Sequence, residues 1–391
     1  MRQLSCYFRH SIEMKLPIIV DQLKRCQEII LATSGQDELY ELLKIILGKF
    51  LWEKTESKDV LCYRGLNEIT LRNKDIFIDL ISDDKIYLSE EITNECLRII
   101  SNTNIHDISD EILHLAFEIM TSRSFKSDKG QYFTPRHVID FCTDLMDFKD
   151  GDTVCDIACG CGSFLRSSLL KNSNIQTFGF DISQRAIKVA KVINFLTCHN
   201  KTIYSHIDSL SLEPSDIYSN TVETFLKKTN PDFNGFDFIL TNPPFAGDIS
   251  NTKDFKYYEL SKDNKNYERD VFFLERSYNL LKNNGKLLII LPENKISSKK
   301  YKPFREWIFS KFKIISIISL HGNTFKPFTS QKTSILILQK SSECNNEIYD
   351  IPLYKSEHSG KKSNGDFIIK NGEIFSDLKE ISKHFKEFYI V

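Results

Sequence analysis

From Gly151 onward the chain changes its period. Short runs rich in β-branched and aromatic residues alternate with segments whose apolar residues recur at three- and four-residue spacing. The strand-like runs are 153–157, 177–180, 202–207, 236–241, 286–291, 314–320 and 334–339, and helical segments at 163–170, 183–196 and 271–281 separate the earlier ones. A strand followed by a helical return builds a parallel neighbour. This order therefore predicts an α/β fold with a doubly wound, Rossmann-like sheet. Only a loop joins the last two runs, so an antiparallel hairpin is expected at one edge. The first hundred-odd residues read as helical instead, with apolar periodicity over 16–31, 39–52 and 71–81. Residues 102–107 look like a linker, and a helix is expected over 109–122, with Ile112, Ala116, Ile119 and Met120 as its apolar stripe. The expected organisation is a helical N-terminal domain (1–108), a catalytic domain built on the sheet (109–342) and a short C-terminal appendage (343–391).

Composition excludes several classes. No apolar run approaches the roughly 18 residues of a membrane span, and the N-terminal stretch lacks the apolar core of a secretory signal, so the expected location is the cytoplasm. Ten cysteines scattered over 391 residues suit reduced thiols better than a disulfide framework. Cys155, Cys159 and Cys161 leave gaps of three and one residues, which match neither a radical-type cluster nor a zinc pair. No metal is expected. The net charge of −1 does not advertise nucleic acid, but residues 295–313 hold seven Lys or Arg against one Glu. That stretch is either a solvated face or a phosphate-facing loop. Residues 78–95, with six acids against Lys85, read as a solvated face.

Two motifs carry chemistry. The first runs Asp156-Ile-Ala-Cys-Gly-Cys-Gly-Ser-Phe-Leu165, after a strand and into a helix. Gly160 and Gly162 allow a tight turn and close backbone approach to a ligand. Asp181 ends the next strand, 19 residues past Gly162. An acid at about that offset suits a ribose diol, and it could also cap the helix that follows. A dinucleotide site would use this layout as well. However, Asp156 would repel a pyrophosphate and attract the sulfonium and amino groups of S-adenosyl-L-methionine. Asp208, after the third strand, could accept from the cofactor's adenine amine or close a local turn.

The second motif is Thr241-Asn-Pro-Pro-Phe245, directly after the fourth strand. Pro243 and Pro244 fix the backbone and remove two N–H donors. Acceptors remain: the Asn242 side-chain oxygen and the Pro243 carbonyl. An aryl-type amine is a poor nucleophile because its lone pair is delocalised. Two acceptors on its hydrogens localise that pair, and Phe245 can stack on the planar ring.

In these motifs the chain resembles the N6-adenine DNA methyltransferases, and within them the modification subunits of type I restriction-modification systems. Gly130-Gln-Tyr-Phe-Thr-Pro135 resembles the segment that precedes the sheet and folds over the cofactor's methionine end. The resemblance extends over about 105–340. It implies a sheet of the S-adenosylmethionine-dependent methyltransferase type. The implied cofactor residues are Gln131, Tyr132, Phe133, Thr134, Pro135, Arg136, Asp156, Ala158, Gly160, Cys161, Gly162, Ser163, Asp181 and Asp208, and the implied catalytic residues are Asn242, Pro243, Pro244 and Phe245. The chain departs from the family's usual loop at Ile157, where Pro is common, and at Cys161, where Ala or a small hydroxyl is common. Phe325 or Phe328 would offer a second ring for the base, or would pack under the hairpin. The implied partners are DNA, a separate specificity subunit and a restriction subunit, with no membrane. Two alternatives stand beside this one: a glutamine N5-methyltransferase acting on protein, and a cofactor-binding scaffold without catalysis.

Overall fold

The structure, a computed structural model, describes residues 2–55, 59–108, 112, 116, 134–197, 202–212, 221–245, 247, 255–262, 267–341, 349–370 and 373–389. The chain divides into two compact units, one of residues 1–127 with 188–200, the other of 128–187 with 201–391. Among the described residues no helix is long and apolar enough to cross a membrane.

The first unit is helical: α1 (Arg2–Thr33), α2 (Glu38–Glu53), α3 (Tyr63–Arg72), α4 (Lys74–Ile81) and α5 (Glu90–Ile99). Asp37 caps α2 by accepting from the Leu39 and Tyr40 amides. Leu42, Leu43, Ile45, Ile46 and Leu47 are all buried, so α2 is apolar around most of its circumference and forms the centre of the unit. The single helix expected over 71–81 is instead split between α3 and α4. At the break, the side chain and the amide of Asn73 both bond the Ile69 carbonyl, the competition that Asn offers a helix interior. Most of the helix expected over 109–122 lies outside the described residues, though Ile112 and Ala116 of its stripe are buried.

The acidic run is more than a solvated face. It contains α5, capped by Ser89, and Asp83 bonds the ammonium of buried Lys44 at 2.7 Å. The same ammonium bonds Glu41 at 2.7 Å and the Lys85 carbonyl at 2.6 Å, and Glu41 in turn accepts from the Tyr87 amide.

The second unit begins at α6 (Arg136–Asp144) and continues β1 (Thr153–Asp156), α7 (Ser163–Lys171), β2 (Gln176–Asp181), α8 (Gln184–Leu196), β3 (Thr202–His206), α9 (Val222–Thr229) and β4 (Phe236–Thr241). Helix α8 crosses into the first unit at residue 188. The chain then forms α10 (Arg269–Leu280), β5 (Leu281–Pro292), α11 (Asn294–Ser297), α12 (Lys302–Lys311), β6 (Phe312–Ser319) and β7 (Thr333–Lys340), and ends with β8 (Leu353–Lys355), β9 (Ile369–Lys370), β10 (Glu373–Ile374) and α13 (Leu378–Tyr389). Among the described residues the main sheet has the order β3-β2-β1-β4-β5-β7-β6-β8. Strands β1 to β5 are mutually parallel, whereas β7 runs antiparallel to both β5 and β6. The expected hairpin is present, but β7 inserts between β5 and β6, and the edge belongs to β8 from the tail, parallel to β6. Leu287 to Leu291 are buried without alternation, as a strand covered on both faces requires.

The basic run 295–313 is not a loop of free cations. It holds α11 and α12. Lys295 is buried and paired with Glu268 and Asp270, Arg305 bonds the Lys295 and Ser298 carbonyls, and Lys311 meets Glu259.

Lys44→Met would leave the Glu41 carboxylate buried without its cation, and unfolding stability should fall by about 3–5 kcal/mol. Urea denaturation measures this. A loss below about 1 kcal/mol would mean that the cluster behaves as a surface pair.

Candidate active site

Strand order reverses between β1 and β4. From β1 the chain proceeds outward to β2 and β3, and from β4 to β5 on the other side. Connections that diverge leave a crevice at the carboxyl ends of the two strands, where ligands of open α/β sheets bind. Both sequence motifs emerge there. Cys155 pairs with Ile239, so Asp156 with its glycine loop and Thr241 with its tetrapeptide leave adjacent strands at nearly the same level.

The glycine loop is held from inside. The Asp156 carboxylate accepts from the Ala158 amide at 3.0 Å. The Cys159 amide bonds the Phe180 carbonyl, and Gly162 closes a turn on Cys159. Gly160 (φ +50°) and Gly162 (φ +83°) both lie in the left-handed region, and Gly162 caps α7, which starts at Ser163. The two glycines face different surroundings. Among the described residues a Cβ at Gly160 would meet nothing within 4 Å, whereas one at Gly162 would lie 2.1 Å from the Tyr204 hydroxyl. Tyr204 on β3 stands opposite Gly179 on β2 and fills the space beneath the loop. Sequence reasoning missed Tyr204, although a glycine inside the strand-like run at 177–180 is the signal of a close approach.

Asp181 is buried and uses both oxygens on the backbone, taking the Gly160 amide at 2.9 Å and the Ser183 amide at 2.8 Å. The cap of α8 is Ser183, whose hydroxyl accepts from the Ala186 amide. Asp181 is therefore a brace between the two loops rather than the helix cap, and each oxygen retains a lone pair. Asp208 is exposed and closes a local turn by accepting from the Leu210 amide. That turn is clamped by buried Arg276, whose Nε donates to the Ser209 carbonyl at 2.6 Å while its other nitrogens pair with Glu223. The Tyr258 hydroxyl donates to the Leu210 carbonyl. Cys161 is buried and Ala158 half-buried within the loop. Burial pushes the Cys155 and Cys159 thiols well above their ordinary value, which keeps them protonated.

At the second motif, Asn242 Nδ2 donates to Thr134 Oγ1 at 2.8 Å. This turns Asn242 Oδ1 the other way, buried and without a hydrogen-bond partner among the described residues. Phe245 is buried and packs edge-to-face on Phe325, with ring centroids 6.0 Å apart. Phe325 is itself buried and serves as packing under Phe245, whereas Phe328 is 38% exposed. Thr134, taken from sequence as a cofactor residue, thus orients the tetrapeptide. Arg136 pairs with Asp140. Gln131, Tyr132 and Phe133 lie outside the described residues.

The strand ends thus bring together a glycine turn braced by two buried carboxylates and a proline-fixed loop with a buried amide. The model of the N-6 DNA Methylase family matches residues 109–388, and the chain belongs to that family. It is 25% identical over 230 residues to the type I restriction enzyme EcoEI methylase subunit of Escherichia coli, covering 57% of this chain and 45% of that protein. It is 24% identical over 201 residues to the type II restriction enzyme and methyltransferase RM.BcgI of Heyndrickxia coagulans, covering 50% and 29%. The chain therefore spans less than half the length of these curated relatives. Its fold matches the crystal structure of the type I restriction-modification system methyltransferase subunit of Streptococcus thermophilus, with TM-score 0.68, 17% identity, and coverage of 95% of this chain and 93% of that one. The methyl donor of this family and fold is S-adenosylmethionine. The open side of Gly160 and the acidic lining of Asp156 and Asp181 suit its ribose and its cationic end.

Burial pushes the Asp156 carboxyl up to about 7, and the Asp181 charge adds to the rise. The folded pKa is raised, so this group's contribution to stability is full below its unfolded value and is lost as pH rises through about 7. A cation facing Asp156 favours the ionised form, so binding S-adenosylmethionine should release a proton below about pH 7. Affinity should then fall by up to about tenfold per pH unit on acidification. Calorimetric titration in buffers of different ionisation heat measures both effects. Flat affinity from about pH 5 to 8 without proton release would remove Asp156 from the cationic end of the site.

Proposed function

We propose that this chain transfers a methyl group from S-adenosylmethionine to the exocyclic N6 amine of adenine in DNA, as the modification subunit of a restriction-modification system. One observation carries it: the buried Asn242 oxygen, turned from Thr134 and without a partner among the described residues, on the loop that leaves β4 beside the glycine loop. A buried acceptor without a donor is costly, and an incoming N–H removes that cost.

Adenine must leave the base stack to reach a recess of this kind. Phe245, backed by Phe325, offers the extruded ring a rigid face. Asn242 Oδ1 and the Pro243 carbonyl take the two amine hydrogens. They localise the lone pair on N6, out of conjugation with the ring, and stabilise the positive charge that develops on N6. S-adenosylmethionine supplies the electrophilic methyl group. Neither acceptor is a strong base, so the surplus N6 proton passes to water once the amine is alkylated. No covalent enzyme intermediate is needed, and rate comes from positioning.

Partners belong to the same proposal. The relatives are methylase subunits and fused restriction enzyme–methyltransferases, and most of the basic run is tied into ion pairs and carbonyl contacts. A separate specificity subunit would then supply the reading of base edges, and a restriction subunit would complete the system.

Plasmid DNA from cells expressing the chain with its partner subunit should contain N6-methyladenine. Asn242→Ala should lower methyl transfer at least about a hundredfold, the scale of one preorganised donor or acceptor, with S-adenosylmethionine affinity retained. Near-normal turnover would reduce the tetrapeptide to a turn, and methylation of protein glutamine with none on DNA would reassign the substrate. The purified chain alone, given mixed-sequence DNA, should methylate weakly and bind with strong salt dependence. Efficient methylation at one defined motif would overturn the need for a specificity partner.

A further inference from the structure

Two contacts from outside the tetrapeptide set its geometry, and they come from distant parts of the chain. Thr134, just before α6, orients Asn242. Phe325, in the loop 321–329, backs Phe245. Neither the strand order nor the crevice explains what keeps these two supports in place. Segment 356–376, described at 356–370 and 373–376, meets a near neighbour of each: His137, three residues past Thr134, and Lys326, next to Phe325.

Its grip on the α6 side is His137, three residues past Thr134, whose Nε2 meets the Ser359 carbonyl at 3.0 Å, while the Phe367 ring lies edge-on to the imidazole at 6.1 Å. Its grip on the other side is Lys361, whose buried ammonium donates to the Lys326 carbonyl, one residue past Phe325, at 2.8 Å. Gly365 (φ +97°) closes against Pro327 so tightly that a Cβ would lie 2.5 Å from Pro327 Cδ. The segment's described residues are bonded to one another. Its backbone bonds Ile368 to Gly360, Lys362 to Asp366, and Phe375 to Ile368. Its two ends are joined by Asp377, which accepts from the Ser356 hydroxyl and the Glu357 amide. The helix that follows, α13, is pinned to α6 through Asp144, which accepts from the Ser382 hydroxyl and pairs with Lys386.

We propose that segment 356–376 is a positioning clasp for the methyl-transfer site: through His137 and Lys361 it locks the Thr134 and Phe325 supports against the tetrapeptide. Only the identity of the reaction it serves rests on the function proposed above. A buried ammonium is expensive to hold unless it is well bonded, and this one is bonded to the carbonyl adjacent to Phe325. Misplacement of a reacting group by about 1 Å can cost about a hundredfold in rate, so a remote clasp of this kind acts on turnover rather than on cofactor binding.

The test uses the full chain with its partner subunit and two variants. Lys361→Met keeps the aliphatic stem and removes the donor. Gly365→Ala forces the segment off Pro327 and leaves Lys361 intact, so it decides the matter if the first variant fails to fold. Hydrogen exchange followed by mass spectrometry reads the peptides covering 241–247 and 321–329, calorimetry reads S-adenosylmethionine binding, and N6-methyladenine in plasmid DNA reads turnover. Exchange in both peptides should rise at least about tenfold. Cofactor affinity should stay within about threefold, and methylation should fall at least about tenfold. Unchanged exchange at 241–247 while 356–376 is loosened would overturn the clasp. So would an equal effect from Lys362→Met, at an exposed neighbour, because charge rather than contact would then be responsible. If the wild-type chain makes no N6-methyladenine, the DNA reading falls, and the exchange experiment still decides the clasp.

Discussion

Strands β1 and β4 lie side by side and parallel, yet the chain moves away from them in opposite directions. The crossovers that cover a doubly wound sheet therefore diverge at this one place, and the loops leaving both strands flank a crevice. Everything that makes the protein chemically interesting depends on that reversal. Asp156 and the glycine loop leave one strand, and Asn242 and its prolines leave the next. The two loops are neighbours because the strands are hydrogen-bonded partners. The apolar, two-sided burial of the central strands makes that partnership rigid.

Around this crevice the chain settles its buried polar groups in two different ways. Groups that shape the loops are satisfied by the protein itself: Asp181 takes two amides, and Arg276 is bound by Ser209 and Glu223. Asn242 is satisfied on one side only. That contrast separates the braces from a buried amide whose oxygen has no partner among the described residues. A half-satisfied buried amide costs stability in the free protein, and such costs collect at functional sites.

Periodicity and motif identified the strands in order, the change from a helical region to an α/β region, and the two loops. Strand assignments were good because β-branched runs between helical stretches leave few alternatives. Errors arose where partners, distant or local, override the apolar period. The charged stretch 295–313 has the composition of a solvated or phosphate-facing face, but Lys295 is buried because Glu268 and Asp270 meet it there. The run at 71–81 is periodic enough for one helix, and the side chain of Asn73 divides it. The polar tail hides a strand and a helix whose positions are set by β6 and α6 rather than by their own pattern.

By itself, the sequence determined the fold class, the glycine turn with its two acids, and the acceptor tetrapeptide, because each needs particular residue types at short spacing: glycine for left-handed backbone, proline for a fixed turn, an acid at a strand end. Tertiary structure alone decided what those groups face. Tyr204 fills the space beneath Gly162 from a neighbouring strand. Thr134 turns the Asn242 amide from 108 residues away, and Phe325 backs Phe245 from a distant loop. Contacts of this range have no period to betray them. They are set by how strands are ordered in the sheet, and that order follows from packing of the whole core rather than from any local stretch of the chain.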